Sequence, residues 1–292
     1  MDEWMDMVAD EDDDRDIRRL VAVPAPRIDV AVVAVCASRR VRSRTAPPRS
    51  PWAAMEQYAD LIRKHAPIRV LSLPVATGDV QVVASRLVAA PRVSVAFVTG
   101  IGARESSQIK RDVAACGGPL ILTELDAVTA VLAATTISLL RGSGTAPRSG
   151  RVVVSGPEHA PLLGPTLMKC GIDEVANWRN SDAHAFPLRR LMERHDVLID
   201  LAGTAADTDA PGRTVRCPAD PYRFGQLVVP GLMSALCGYE TREVTAEVLA
   251  AAARAVALTT PLGRALPEPG DRLVIRAIAR QVGRVIAHPA DW

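Results

Sequence analysis

A chain of 292 residues, 48% apolar and 23% charged, is long enough to bury one large or two ordinary cores and too apolar to be disordered throughout. Thirty-five basic against 33 acidic residues leave a formal charge of +2, which argues for neither nucleic acid nor a membrane surface as partner. Cys36, Cys116, Cys170, Cys217 and Cys237 form no C-x-x-C pair and leave an odd one over, so neither a zinc knuckle nor a disulfide framework is expected and a reducing cytoplasm fits the chain. The longest apolar-rich stretch, Ala127 to Leu140, stops short of the roughly 18 residues a membrane span needs, so no membrane is expected as a partner.

The first 16 residues hold nine carboxylates, Asp2, Glu3, Asp6, Asp10, Glu11, Asp12, Asp13, Asp14 and Asp16, and self-repulsion predicts a mobile acidic tail over 1–27. Residues 28–36, IDVAVVAVC, are short, valine-rich and apolar, as suits a strand buried on both faces. A surface loop follows, with Arg39, Arg40, Arg42, Arg44 and Arg49 among three prolines. Helices and strands then alternate: a helix over 52–65, a strand over 68–75, a helix over 79–90, a strand over 93–99, a helix over 103–116 and a strand over 119–122. This is the pattern of βαβ units in a parallel sheet. A long apolar helix over 126–140 runs into a Gly/Pro/Ser-rich stretch at 142–150, which marks a hinge between a domain of residues 28–141 and one of 151–292.

The second half repeats the pattern, with strands expected over 151–156, 174–178, 196–203 and 213–217 and helices over 162–170 and 187–195. It closes on helices over 230–237, 244–258 and 272–287. The fold class is therefore α/β, with two domains, the second Rossmann-like with a parallel sheet.

Val152 to Pro165, VVVSGPEHAPLLGP, stands where a dinucleotide fold presents G-x-G-x-x-G. Those glycines serve a tight turn, close backbone approach to a pyrophosphate, and close helix packing. Only Gly156 is present; Glu158 and Pro161 occupy the other two places, so a carboxylate stands where a diphosphate would lie. Arg179, after the next strand, suits a 2′-phosphate, against the reading of a purely structural Rossmann-like unit. Glu158 and His159, with His184 and His195 further on, offer acid/base groups without the partner spacing of a triad or metal site, and exposed loop histidines are the plainer reading. The arginine loop suits a small anionic ligand or an acidic partner, against a solvated surface, whereas nucleic acid is not expected because Trp52 is its only aromatic neighbour.

Several of these segments together resemble the malic enzyme family. PLILTELDAVTAVLAATTISLL (119–140), the hinge, and RVVVSGPEHAPLLGPTLMKCGIDEV (151–175) are similar to that family's P-V-F-H/N-D-D segment, long helix and V-V-V-S-G-A-G element. VAVV (30–33), Met55–Glu56, VVPGLMSAL (228–236) and EVTAEVLAAAARAVA (243–257) extend the resemblance over most of 28–287. It implies a malic-enzyme-like amino-terminal α/β domain and, in the family, oxidative decarboxylation of malate with a divalent cation and NAD(P). The residues that carry that chemistry differ. Tyr58 stands at the family's acid/base lysine, Thr99 and Gly100 at a Glu-Asp metal pair, Thr123 and Glu124 at the paired aspartates, and Phe224 and Gly225 near an asparagine pair. By that correspondence the catalytic positions are Tyr58, Thr123 and Glu124, the metal position is Glu124, and the cofactor positions are Gly156, Glu158 and Arg179. One glutamate cannot build a Mg²⁺ or Mn²⁺ site, so neither that metal nor NAD(P) is expected. The expectation is a degenerate malic-enzyme-like protein acting as a binding, regulatory or assembly subunit, as a homo-oligomer or with a protein partner. The alternative is a diverged NAD(P)-dependent oxidoreductase or decarboxylase with a rebuilt site for a small hydroxy acid.

Overall fold

The computed structural model describes residues 29–35, 50–66, 68–75, 78–90, 93–206, 210, 212–239 and 241–288. The expected acidic tail (1–27) and the arginine loop (39–49) lie outside the described residues. Two parallel four-stranded sheets organise the rest. The first has the order β2 (Arg69–Val75), β1 (Asp29–Val35), β3 (Val93–Thr99), β4 (Leu120–Thr123). The second has the order β6 (Glu174–Trp178), β5 (Arg151–Ser155), β7 (Val197–Asp200), β8 (Thr214–Arg216). In both, the first strand is flanked by the second and third, so the chain reverses its direction of travel between β1 and β3 and again between β5 and β7. In an open parallel sheet such a switch point opens a crevice at the carboxyl ends of the strands.

Strand alternation sorts the side chains. Ala31, Val33, Ala96 and Val98 face α2 (Val80–Val88) and α3 (Ala103–Ala115), forming a separate core on the outer face of the first sheet. Val30, Val32, Val95 and Phe97 face inward, toward α1 (Pro51–His65) and α4 (Glu124–Gly142). Val152, Val154, Val197 and Ile199 of the second sheet belong to that same inner core, as do α7 (Tyr222–Gly238), α8 (Ala246–Thr259) and α9 (Arg272–Ala287). A third cluster, with Trp178 and with Leu188 and Met192 of α6 (Leu188–Met192), covers the outer face of the second sheet.

The helix α4 is the centre of this arrangement. It is 19 residues long and apolar enough by length and composition to cross a membrane, yet 78% of that stretch is buried inside the protein, and it packs on both sheets and on α7 and α8. It starts at Glu124, two residues before the expected Asp126, because Thr123 and Asp126 form a capping box. The expected helix at 230–237 is longer: α7 begins at Tyr222 and carries Pro230 in its interior. An internal proline loses one backbone hydrogen bond, at about 3 kcal/mol. Burial of Phe224, Leu227, Val228, Leu232 and Met233 offsets that cost. Gly231 lets α9 approach, since a Cβ there would stand 2.7 Å from Ile278 Cβ and 2.8 Å from the Ile275 carbonyl oxygen.

Candidate functional site

The carboxyl ends of the first sheet bring together the positions singled out in α1, β3 and α4. Tyr58 lies on the buried face of α1 and is fully enclosed. Its ring packs against Phe97 at 4.5 Å between centroids and edge-on against Tyr222 at 5.0 Å. Its hydroxyl donates to Glu124 Oε1 at 3.0 Å. The fit leaves no room for a side chain at Gly225 unless the ring shifts, since a Cβ there would lie 2.3 Å from the Tyr58 hydroxyl oxygen. Burial, then the charge and hydrogen bond of Glu124, push the Tyr58 phenol far above its ordinary value, so it stays protonated. Thr99 ends β3 on Phe97's side of the sheet by strand alternation. Its hydroxyl is buried and has no hydrogen-bond partner among the described residues. Gly100 has φ +86°, and a Cβ there would stand 2.8 Å from the Val35 carbonyl oxygen across the switch point.

Thr123 serves the backbone. It is the N-cap of α4, its backbone N–H and hydroxyl donating to Asp126 Oδ2 at 2.7 and 2.8 Å. Ser106 of α3 donates to the Thr123 hydroxyl at 3.2 Å, and Lys110 Nζ reaches Asp126 Oδ1 at 2.7 Å. The result is a closed network, Lys110–Asp126–Thr123–Ser106, in which the one charge with almost no solvent access is paired. Neither Lys110 nor Asp126 was a candidate from sequence, although T-x-x-D before an apolar run signals a capping box. A cavity of about 30 Å³, room for one water, lies beside it among Ser106, Lys110, Asp126, Pro161 and Leu162. It marks the seam where α3 and α4 meet the turn after β5.

At the second sheet's switch point Gly156 does what its place requires. It takes φ +68°, and a Cβ there would stand 2.9 Å from His159 Cδ2 and 3.0 Å from Ala202 Cβ. The chain then makes a short 3₁₀ turn at Pro157–His159, and α5 (Leu163–Lys169) starts only at Leu163, with no side-chain cap. A diphosphate cradle needs the helix to follow the glycine turn directly. Glu158 and Arg179, both exposed, lie 3.7 Å apart as an ion pair, so the guanidinium expected to favour a 2′-phosphate faces a carboxylate of the turn itself. The crevice is further filled from β7. Asp200 is buried and accepts from the Ser155 hydroxyl at 2.8 Å and from the backbone N–H groups of Gly203 and Ala205 at 2.9 and 3.1 Å. Arg216 Nε lies 3.7 Å from its other oxygen. Asp200 and Ser155 were not foreseen, because their hydrogen bond joins residues 45 positions apart.

His159 and His184 are exposed, as loop histidines. His195 is buried, with Nδ1 2.7 Å from the Leu191 carbonyl oxygen, and helps close the turn before β7. Tyr58 and Glu124 therefore meet, Thr123 joins a neighbouring network as the N-cap of α4, and Glu158, Arg179 and Gly156 sit together at the other sheet.

The described residues do not fit a hard divalent cation. Among the described residues no group of three or more His, Cys, Asp or Glu side chains converges. A hard divalent cation needs several oxygen ligands. Nor does the turn after β5 fit a dinucleotide, for the reasons of glycine, helix start and charge just given.

Two parallel four-stranded sheets, each with a switch point and sharing a buried central helix, define a two-sheet α/β protein with a Rossmann-like second half. Its fold is that of the malic enzymes. It superposes on the malic enzyme of Pyrococcus horikoshii with a TM-score of 0.70, over 99% of this chain and 84% of that one, at 13% identity. The NAD-dependent malic enzyme of Thermotoga maritima gives 0.66, over 88% and 84%, at 16% identity. The malic enzyme of Entamoeba histolytica gives 0.69, over 95% and 72%, at 12% identity. No protein-family model and no curated protein matches the sequence.

Proposed function

We propose that this chain is a malic-enzyme-fold protein that has given up catalysis and works as a binding, regulatory or assembly subunit, as a homo-oligomer or with a protein partner. The observation that carries this reading is the Tyr58–Glu124 hydrogen bond. The two polar side chains at the positions of the family's lysine and metal carboxylate are joined to each other. A general base needs a pKa near the working pH, and burial moves Tyr58 the opposite way. The Glu158–Arg179 pair and the filled crevice at Asp200 support the same reading for the cofactor. Free thiols at Cys116, Cys170, Cys217 and Cys237 fit the cytoplasm.

The test is turnover of malate by the purified chain with Mn²⁺ and NAD⁺ or NADP⁺, beside thermal unfolding with the same ligands. The expected result is no turnover and no shift of the midpoint. An ordinary rate, about 1 s⁻¹ or more, overturns the reading. So does a clear midpoint shift, since a nucleotide at about 100 times its dissociation constant adds roughly 2.7 kcal/mol.

The second reading, a diverged oxidoreductase or decarboxylase with a rebuilt site, is favoured by one observation. Lys110, Asp126 and Ser106 present an ammonium, a carboxylate and a hydroxyl at the seam. Against it stands the cavity beside them, which holds a water and not a hydroxy acid. Activity abolished by Lys110→Met in a protein that stays folded would establish this second reading.

A further inference from the structure

A second, larger cavity lies behind Tyr58, on the far side of Tyr222. Its volume is about 300 Å³, within the range of small-ligand sites. Gln57, Asp60, Lys64 and His65 line it from α1, Tyr222 and Gln226 from α7, and Gly270 from the turn before α9.

Several of the charges around it are paired within the chain. Asp60 is paired with Arg63 at 3.0 Å. Glu268 is paired with Arg264, and Asp271 is the N-cap of α9, accepting from Leu273 N–H at 2.8 Å. Asp60 and Glu268 thus face cations, and Asp271 faces a neutral backbone N–H. Lys64 and His65 of the lining, and Arg272 outside it, have no hydrogen bond or ion pair among the described residues; Lys64 and Arg272 are exposed and His65 is half-buried. His65 stands beside Gly270, 3.8 Å from where its Cβ would be. Burial first, then the charges of Lys64 and Arg272, lowers the pKa of the imidazole, so both cations lie within Coulomb range of it. Cations in the last turn of α1 also complement its dipole, and that is the competing explanation for Lys64 and His65. It does not account for Arg272, the first residue of α9, where a helix dipole disfavours a cation.

The geometry points to a binding site for a small oxyanion, a carboxylate or a phosphate, in the cavity between α1, α7 and the turn before α9, held by Lys64 and His65 of its lining, with Arg272 adding positive charge from outside the lining. Gln57 and Gln226 add amides to the lining, and Tyr222, packed on Tyr58, forms the wall shared with the candidate site. The site deepens the binding reading by naming its ligand class. An active enzyme with the same anion response would overturn that reading and leave the site standing.

The experiment is isothermal titration of the full chain with inorganic phosphate and, separately, with succinate at low ionic strength. The expected result is saturable one-site binding of at least one of them, weakened tenfold or more in Lys64→Met/Arg272→Met. Binding of one anion and not the other decides between phosphate and carboxylate. No saturable binding of either, or equal affinity in the double variant, overturns the site. A double variant whose thermal midpoint falls while its anion affinity is unchanged shows that the cations serve the helix dipole, and likewise overturns it.

Discussion

Gly225→Ala tests whether Tyr58 is held where its hydroxyl must meet Glu124. The new methyl would lie 2.3 Å from the Tyr58 hydroxyl oxygen, 2.6 Å from Cε1 and 2.8 Å from Cζ. Ordinary carbon contacts are about 3.5–4.0 Å, so ring and helix must separate by about 1 Å. The ring cannot retreat freely, being packed between Phe97 and Tyr222. Overpacking costs about 1–3 kcal/mol. Displacing the hydroxyl from a carboxylate adds about 1.5–3 kcal/mol. Replacing a helical glycine by alanine returns about 1 kcal/mol. The net loss is about 1.5–5 kcal/mol, a fall of roughly 2–8 °C in the midpoint at this chain length. In a Tyr58→Leu background the obstructing hydroxyl and ring edge are gone, and Gly225→Ala should be neutral or slightly stabilising. Urea unfolding of the four proteins then gives a coupling energy of about 2 kcal/mol or more. Equal cost of Gly225→Ala in both backgrounds would refute the reasoning.

Lys110→Met strands the Asp126 carboxylate, whose side chain is 4% exposed, and should cost about 2–4 kcal/mol in urea unfolding; a loss under about 0.5 kcal/mol would mean that the capping box alone suffices. Gly156→Ala forces a left-handed backbone on alanine and a 2.9 Å contact with His159, so its midpoint should fall by the equivalent of about 2–4 kcal/mol, and an unchanged midpoint would argue against the turn as built. Burial pushes the Cys170 thiol up to about 12, so the folded state favours its neutral form. That stability is complete below the ordinary thiol value near 9 and drains away as pH rises toward 12, by up to about 1.4 kcal/mol per pH unit. Urea midpoints measured from pH 8 to 10 should therefore fall less steeply for Cys170→Ala than for the native chain, and parallel slopes would contradict the burial.

The elements were legible where their signals are local. Valine-rich runs of strand length bounded by turns mark β1, β3 and β5 to within a residue or two, and alternation with helical stretches is sufficient to specify parallel sheets. Boundaries slipped where a local rule met tertiary packing. Pro230 reads as a helix start by its missing donor, yet it lies inside α7 because that helix is buried against α9. The candidate site was legible only as a set of positions. Nothing in the sequence joins Tyr58 to Glu124 across 66 residues or Ser155 to Asp200 across 45, since such pairs are created by sheet order and not by spacing. The capping box is the exception: its two residues are three apart, and the pattern was present to be read as a helix start before it was read as a catalytic position.

The exchange of charges at the seam has a consequence for metal dependence. A site built from several carboxylates repels itself when its cation is removed, so metal contributes to the stability of the apo-competent fold. Here each described acid at the start of α4 is compensated within the chain. Glu124 accepts the phenol of Tyr58 and lies in the helix's first turn, where the dipole favours a negative charge. Asp126 has Lys110 and two donors from Thr123. Asp200, the other buried carboxylate among the described residues, has Ser155, backbone donors and Arg216. No divalent ion is needed to hold these groups together, and excess EDTA should leave the thermal midpoint unchanged, with Mn²⁺ or Mg²⁺ adding nothing on return. A chelator-dependent drop restored by Mn²⁺ would show that carboxylates outside these pairs gather around a metal, and the reading of Tyr58–Glu124 as the successor of a metal site would fall with it.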